Sequence, residues 1–237
     1  MKKIIIIILI VFSIFIIYKT NDDNLVDYMA IGDSISLGIN SYGNHSYGFN
    51  DYLKSYLENN NLLHHYNSLY SKDDYKIEEL INDIKTNKNI IYDDKTYNIK
   101  KELREADLLT ISIGMDELVG ILSENNHFSD IKDKLDEFSN NMDKLIKAVT
   151  SLSKTKVILL GYYNPTNNLD KNTNQIFAYL NDKYQSIAKK YSITYIDIYE
   201  EIKKDKNYLP NKKDYHLTSK GYLKIASKII ETIEDDF

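Results

Sequence analysis

Apolar residues fall along this chain in two alternating rhythms. Runs that are apolar at nearly every position, 26–31, 108–113, 157–160 and 193–198, read as strands buried on both faces. Residues 62–70 form a further strand candidate. Between these runs apolar residues recur every three or four positions, the spacing of a helix with one face on a core. Residues 49–57 show it, as do Ile77, Leu80, Ile81 and Ile84. A longer series is Ile131, Leu135, Phe138, Met142, Leu145 and Val149; another is Ile176, Leu180, Tyr184, Ile187 and Tyr191. The last is Tyr222, Ile225, Ala226, Ile229, Ile230 and Ile233, with Thr218 or Ser219 as its N-cap. Strands that alternate with helices predict an α/β three-layer sandwich: a mostly parallel central sheet with helices on both faces and right-handed crossovers.

One segment follows neither rhythm. Residues 4–18 are apolar on every side, broken only by Ser13 and preceded by Lys2 and Lys3. As a helix the run measures roughly 22 Å, against a hydrocarbon core of about 30 Å, and flanking lysines can snorkel. No small-x-small cleavage signal follows, since the chain continues Tyr18-Lys19-Thr20-Asn21-Asp22-Asp23. We read residues 1–20 as an uncleaved signal anchor, with a cleaved signal peptide as the alternative, and residues 21–237 as a single domain. Residues 4–18 then hold the protein to a membrane, and the positive-inside rule places the body outside the cytoplasm. If the segment is cleaved, the protein is secreted.

Composition narrows the chemistry. There is no Cys, so no thiolate nucleophile, thiolate metal site or disulfide framework exists. A net charge of −5 gives no basic excess for nucleic acid. No Gly-x-Gly-x-x-Gly or P-loop follows the first strand, and no close-spaced ligand motif gathers Asp33, Asp116, Asp214 and His216 into a metal site. No cofactor is expected. The 21 Tyr read as a compositional habit with no binding role, whereas the eight Gly are few enough that each answers a backbone need.

In a parallel sheet the chemistry gathers beyond the C-terminal strand ends, and Gly32, Gly114 and Gly161 all fall there. The first strand runs into Gly32-Asp33-Ser34. A Ser on such a turn is exposed to attack a substrate if a base reaches it, although Gly-Asp-Ser alone is a common turn. Of the five His, only His216 sits between the last strand and the last helix, with Asp214 two residues before it.

Gly32-Asp33-Ser34 after the first strand, Gly114 after the middle strand and Asp214-x-His216 before Gly221-Tyr222 together resemble the SGNH, or GDSL-type, hydrolase family. The resemblance spans residues 26–235 and implies a flavodoxin-like three-layer fold and ester hydrolysis. It implies Ser34 as nucleophile, His216 as general base and Asp214 as the acid that orients it. Oxyanion donors are implied at Ser34, at Ser71 or Lys72 in the second block, and at Gly114 and Asp116 in the third. The implied substrate is an acyl or acetyl ester of a lipid, an O-acetylated wall glycan or a small molecule. The loop of residues 38–48, with Tyr42, His45 and Tyr47, is a candidate wall of the acyl site.

Three positions depart from the family pattern. Its Asp three residues before the His is Lys213 here. Its second-block Gly is absent from Asn67-Ser68-Leu69-Tyr70-Ser71-Lys72. Its Asn in the third block is Asp116, and an ionised carboxylate has no proton to give an oxyanion. Either Asp116 is held neutral, or the chemistry is weakened or altered. A surface-anchored binding module with the fold but little catalysis is the alternative function. Asp116→Asn is expected to raise turnover of a simple acyl ester. An unchanged or lower rate would give the carboxylate a different task.

Overall fold

The computed structural model describes residues 25–124, 127–165, 171–211 and 214–236. The expected anchor at 1–20 and the departure at Lys213 lie outside these residues. Among the described residues no helix is long and apolar enough to cross a membrane.

Strands β1 (Val26–Gly32), β2 (Leu63–Asn67), β5 (Leu108–Ser112), β6 (Lys156–Leu160) and β7 (Thr194–Ile196) form one sheet in the order β2-β1-β5-β6-β7. Every pairing in it is parallel. All five residues of β5 are buried, as expected for a central strand covered on both faces. The edge strand β2 is exposed at His64 and His65, and His64 Nδ1 lies 2.6 Å from Asp27 Oδ1 on the next strand.

Helix α1 (Phe49–Asn59) packs with α8 (Ser219–Ile233), and α8 also touches α7 (Tyr199–Lys203). The second helical group is α2 (Ile77–Thr86), α4 (Met115–Glu124), α5 (Phe128–Thr150) and α6 (Lys171–Tyr191), with α5 touching the other three. The predicted stripe of α5 is buried from Ile131 through Val149, and the Thr218 hydroxyl caps α8 by accepting from the Gly221 N–H. The α/β sandwich expected from the two rhythms is therefore the fold.

Sequence periodicity missed the short helices α4 and α7, and a local unit built on a hairpin. Strands β3 (Asn89–Tyr92) and β4 (Lys95–Asn98) pair as an antiparallel hairpin, and α3 (Ile99–Glu105) follows directly, capped by Asn98. The hairpin buries no face of its own, so it carries no alternating pattern. Its turn is Asp93-Asp94, both at positive φ, the geometry of a two-residue I′ turn.

The sheet brings its C-terminal ends together closely. Gly32 pairs with Ser112, and a Cβ on Gly32 would stand 1.8 Å from the Ser112 carbonyl oxygen. Gly114 has φ +99°, and a Cβ there would meet the Tyr162 hydroxyl at 2.7 Å. Gly32→Ala should push β1 and β5 apart at their C-terminal ends and cost about 3 kcal/mol or more, read by urea denaturation. An unchanged midpoint would show that the two strand ends separate freely.

Candidate active site

The turn after β1 builds the first half of the site. Leu37 N–H donates to the Asp33 carbonyl and Ile39 N–H to the Ser34 carbonyl, so residues 33–39 wind into one tight turn. Asp33 is fully buried. Its carboxylate accepts from Ile35 N–H at 3.0 Å and from Met115 N–H, the first residue of α4, at 2.8 Å. The Gly114 amide faces the same carboxyl. Ser34 is fully buried too, and its Oγ has no hydrogen-bond partner. Among the described residues its N–H has no acceptor.

The segment before α8 builds the second half. His216 Nδ1 lies 2.6 Å from Asp214 Oδ1, and the same oxygen accepts from His216 N–H at 2.8 Å. An offset of two residues thus suffices for the acid to reach the ring, because main chain and ring bind one carboxylate oxygen. His216 Nε2 is buried without a partner. Tyr215 lies against the His216 ring, tilted by 32° at 4.3 Å between centroids, and donates its hydroxyl to Asp116 Oδ1. That hydroxyl also faces the Ser34 side chain. Ser34, Asp116, Tyr215, His216 and Asp214 therefore form one cluster at the C-terminal edge of the sheet.

Other predicted site residues stand differently. Ser71 N–H donates to Ser68 O at 3.0 Å and Lys72 N–H to Gly32 O at 3.1 Å, so both second-block amides are committed inside the protein. Ser71 Oγ meets Ser36 Oγ at 2.9 Å, and the Lys72 ammonium lies 4.0 Å from the centre of the Tyr75 ring. Tyr42 and His45 point to solvent, while Tyr47 bonds Ser55 on α1 at 2.5 Å. Tyr215 is the residue that sequence reasoning passed over. Its signal was an acidic residue in the third block that needed a hydroxyl or cationic partner.

Charge at the site is crowded. Burial, and next the neighbouring Asp116, push the Asp33 carboxyl up to about 7 against the pull of three backbone N–H groups. Burial also raises Asp116, with Asp73 and Asp74 adding to it and Tyr215 and His216 opposing. Burial and the Asp116 hydrogen bond raise the Tyr215 phenol. A cleft of about 510 Å³ borders Asp116, walled by Asp74, Lys76, Glu78, Glu117 and Phe138 among others.

The sequence profile described as GDSL-like Lipase/Acylhydrolase matches residues 28–229, which takes in both halves of this cluster. The chain belongs to that family. It is a GDSL-type serine ester hydrolase. Among solved structures this hydrolase resembles the lipase Lip_vut3 from a goat rumen metagenome, with 20% identity over 87% of this chain and 96% of the other, and a TM-score of 0.70. It also resembles Axe2, an acetylxylan esterase from Geobacillus stearothermophilus, with 16% identity over 88% and 94% of the two chains and a TM-score of 0.63. Comparison with curated proteins returns no match.

The raised Asp33 has a consequence for stability with a definite sign. A carboxyl lifted from 3.8 to about 7 on folding favours the protonated fold. Its contribution is complete below pH 4 and is lost as pH rises towards 7. Asp33→Asn should therefore show a flatter dependence of unfolding free energy on pH across that window, the difference approaching about 4 kcal/mol. Parallel curves for the two proteins would mean that Asp33 is ionised at little cost.

Proposed function

We propose that the hydrolase cleaves acyl esters through Ser34, His216 and Asp214. The observation that carries this reading is the pair of buried, unpartnered atoms at one end of the sheet, Ser34 Oγ and His216 Nε2, with the His216 ring held from behind by Asp214. A carboxylate on Nδ1 keeps the proton there, so Nε2 presents its lone pair. Ser34 Oγ attacks the acyl carbon as its proton passes to Nε2. Collapse of the tetrahedral adduct returns that proton to the leaving alcohol and leaves Ser34 acylated. Water repeats the sequence, releasing the acid and restoring Ser34. The Ser34 N–H supplies one oxyanion hydrogen bond.

The cleft that meets the cluster at Asp116 is too polar for a long lipid chain and is where we place the polar part of the substrate. Its wall carries Asp74, Glu78 and Glu117 with Lys76, where an acyl tunnel is lined by apolar side chains. In the Axe2 esterase, structures described as catalytic mutants replace a serine, a histidine and the aspartate three residues before that histidine. Acetyl groups on a polysaccharide, or a small ester, are the substrates we propose. The apolar segment at residues 4–18 supports an extracytoplasmic location, anchored or secreted.

A serine-directed phosphonate should label Ser34 stoichiometrically, and His216→Ala should abolish both labelling and turnover, a loss of about 10⁴-fold or more. Acetyl esters should be cleaved faster than long-chain esters of the same alcohol. A folded protein that binds acetylated glycan without labelling, unchanged by Ser34→Ala, would be a binding module and would end this reading.

A further inference from the structure

Hydrolysis through Ser34 leaves the oxyanion short of donors, and the inference here rests on that reading. The Ser71 and Lys72 amides are spent on Ser68 and Gly32 carbonyls, and the Gly114 amide faces Asp33. Asp116 stands where the family pattern places a carboxamide, and its Oδ2 is buried without a partner. One further O–H group reaches this space. The Tyr215 hydroxyl touches Asp116 Oδ1 on one side and faces the Ser34 side chain on the other.

We propose that Tyr215, oriented by Asp116, is the side-chain donor that stabilises the oxyanion during ester cleavage at Ser34. A phenol has a single proton to give. If Asp116 is ionised, that proton is bound to the carboxylate and none remains for the substrate. If Asp116 is protonated, its O–H donates to the phenol oxygen and the phenol O–H turns to the oxyanion. Two protons then make two hydrogen bonds, and neither is transferred. Asp116 Oδ2 is buried with no donor to hold a charge there. Burial raises the Asp116 carboxyl, and Asp73 and Asp74 add to it, against Tyr215 and His216; Asp33 and Glu117 stand near enough to feel its charge. The Tyr215 phenol, itself raised by burial, keeps its proton at neutral pH. Tyr163 donates to the Tyr215 carbonyl at 2.6 Å, which fixes the main chain from which the ring projects.

The test is a double-mutant cycle in the full-length protein. Tyr215→Phe keeps the ring against His216 and the carbonyl that Tyr163 holds. It should lower kcat about a hundredfold, with KM little changed. In an Asp116→Asn background the new carboxamide can donate to the oxyanion directly. There the same Tyr215→Phe change should cost less than about a tenth of that factor. Asp116→Asn should also remove the fall in kcat on the alkaline side that ionisation of Asp116 produces. An equal loss from Tyr215→Phe in both backgrounds would assign Tyr215 a purely structural role and overturn the proposal, as would no loss in either. Phosphonate labelling of Ser34 separates the two levels. Complete labelling in Tyr215→Phe shows an intact fold and nucleophile, whereas failure to label the unaltered protein would defeat the nucleophile reading itself.

Discussion

A single carboxyl group, that of Asp33, holds the catalytic end of this molecule together. It has no access to solvent, and it binds the amide at the start of α4 and the amide two residues ahead of itself. Through those bonds the turn that bears Ser34 and the helix that bears Asp116 become one rigid piece. The arrangement leaves the Ser34 amide without an acceptor among the described residues, free to face a substrate. Asp33 also stands beside Asp116, whose charge adds to burial in raising the Asp33 carboxyl.

Behind this piece lies a buried polar lattice. Asn50 on α1 donates to the Ser36 carbonyl at 2.7 Å and accepts from the Tyr28 hydroxyl at 2.8 Å, while Tyr28 also meets Thr110 on β5. Ser36 in turn meets Ser71 beyond β2. Groups so buried are costly to leave unpaired, and each of these has a partner. The loop before α8 is tied by similar bonds. Tyr163 holds the Tyr215 carbonyl, and Tyr222 donates to the Ile39 carbonyl just past the Ser34 turn. Tyrosine suits both tasks, since its ring fills core volume and its hydroxyl reaches a carbonyl at the rim.

The parts legible in sequence were those whose signal is local. The run 108–113 could only be a central strand, and the α5 stripe could only face a core. Gly32-Asp33-Ser34 and Asp214-x-His216 stood out by place, the first on the turn that ends β1 and the second in the segment just ahead of α8. The rest depended on partners remote in sequence. Whether the Ser71 or Lys72 amide is free is decided by how β2 continues alongside Gly32, and Lys72 N–H turns out to serve that ladder. The tyrosines looked like composition because a hydroxyl's acceptor is chosen by tertiary structure. Tyr215 was hidden for the same reason: its partner lies on α4, remote in sequence, and nothing within its own segment announces it. The hairpin of β3 and β4 was missed because it has no buried face to leave a pattern.

Ser34 and His216 stand near opposite ends of the described chain, and β1 joins the sheet beside β2 and β5 long before the segment carrying the imidazole is made. Synthesis therefore completes the nucleophile's scaffold first and the base last. Under the proposed mechanism, a polypeptide still emerging from a ribosome, or one clipped ahead of Asp214, lacks its base however well its sheet has formed. Under that mechanism ester cleavage waits for the segment that carries the imidazole.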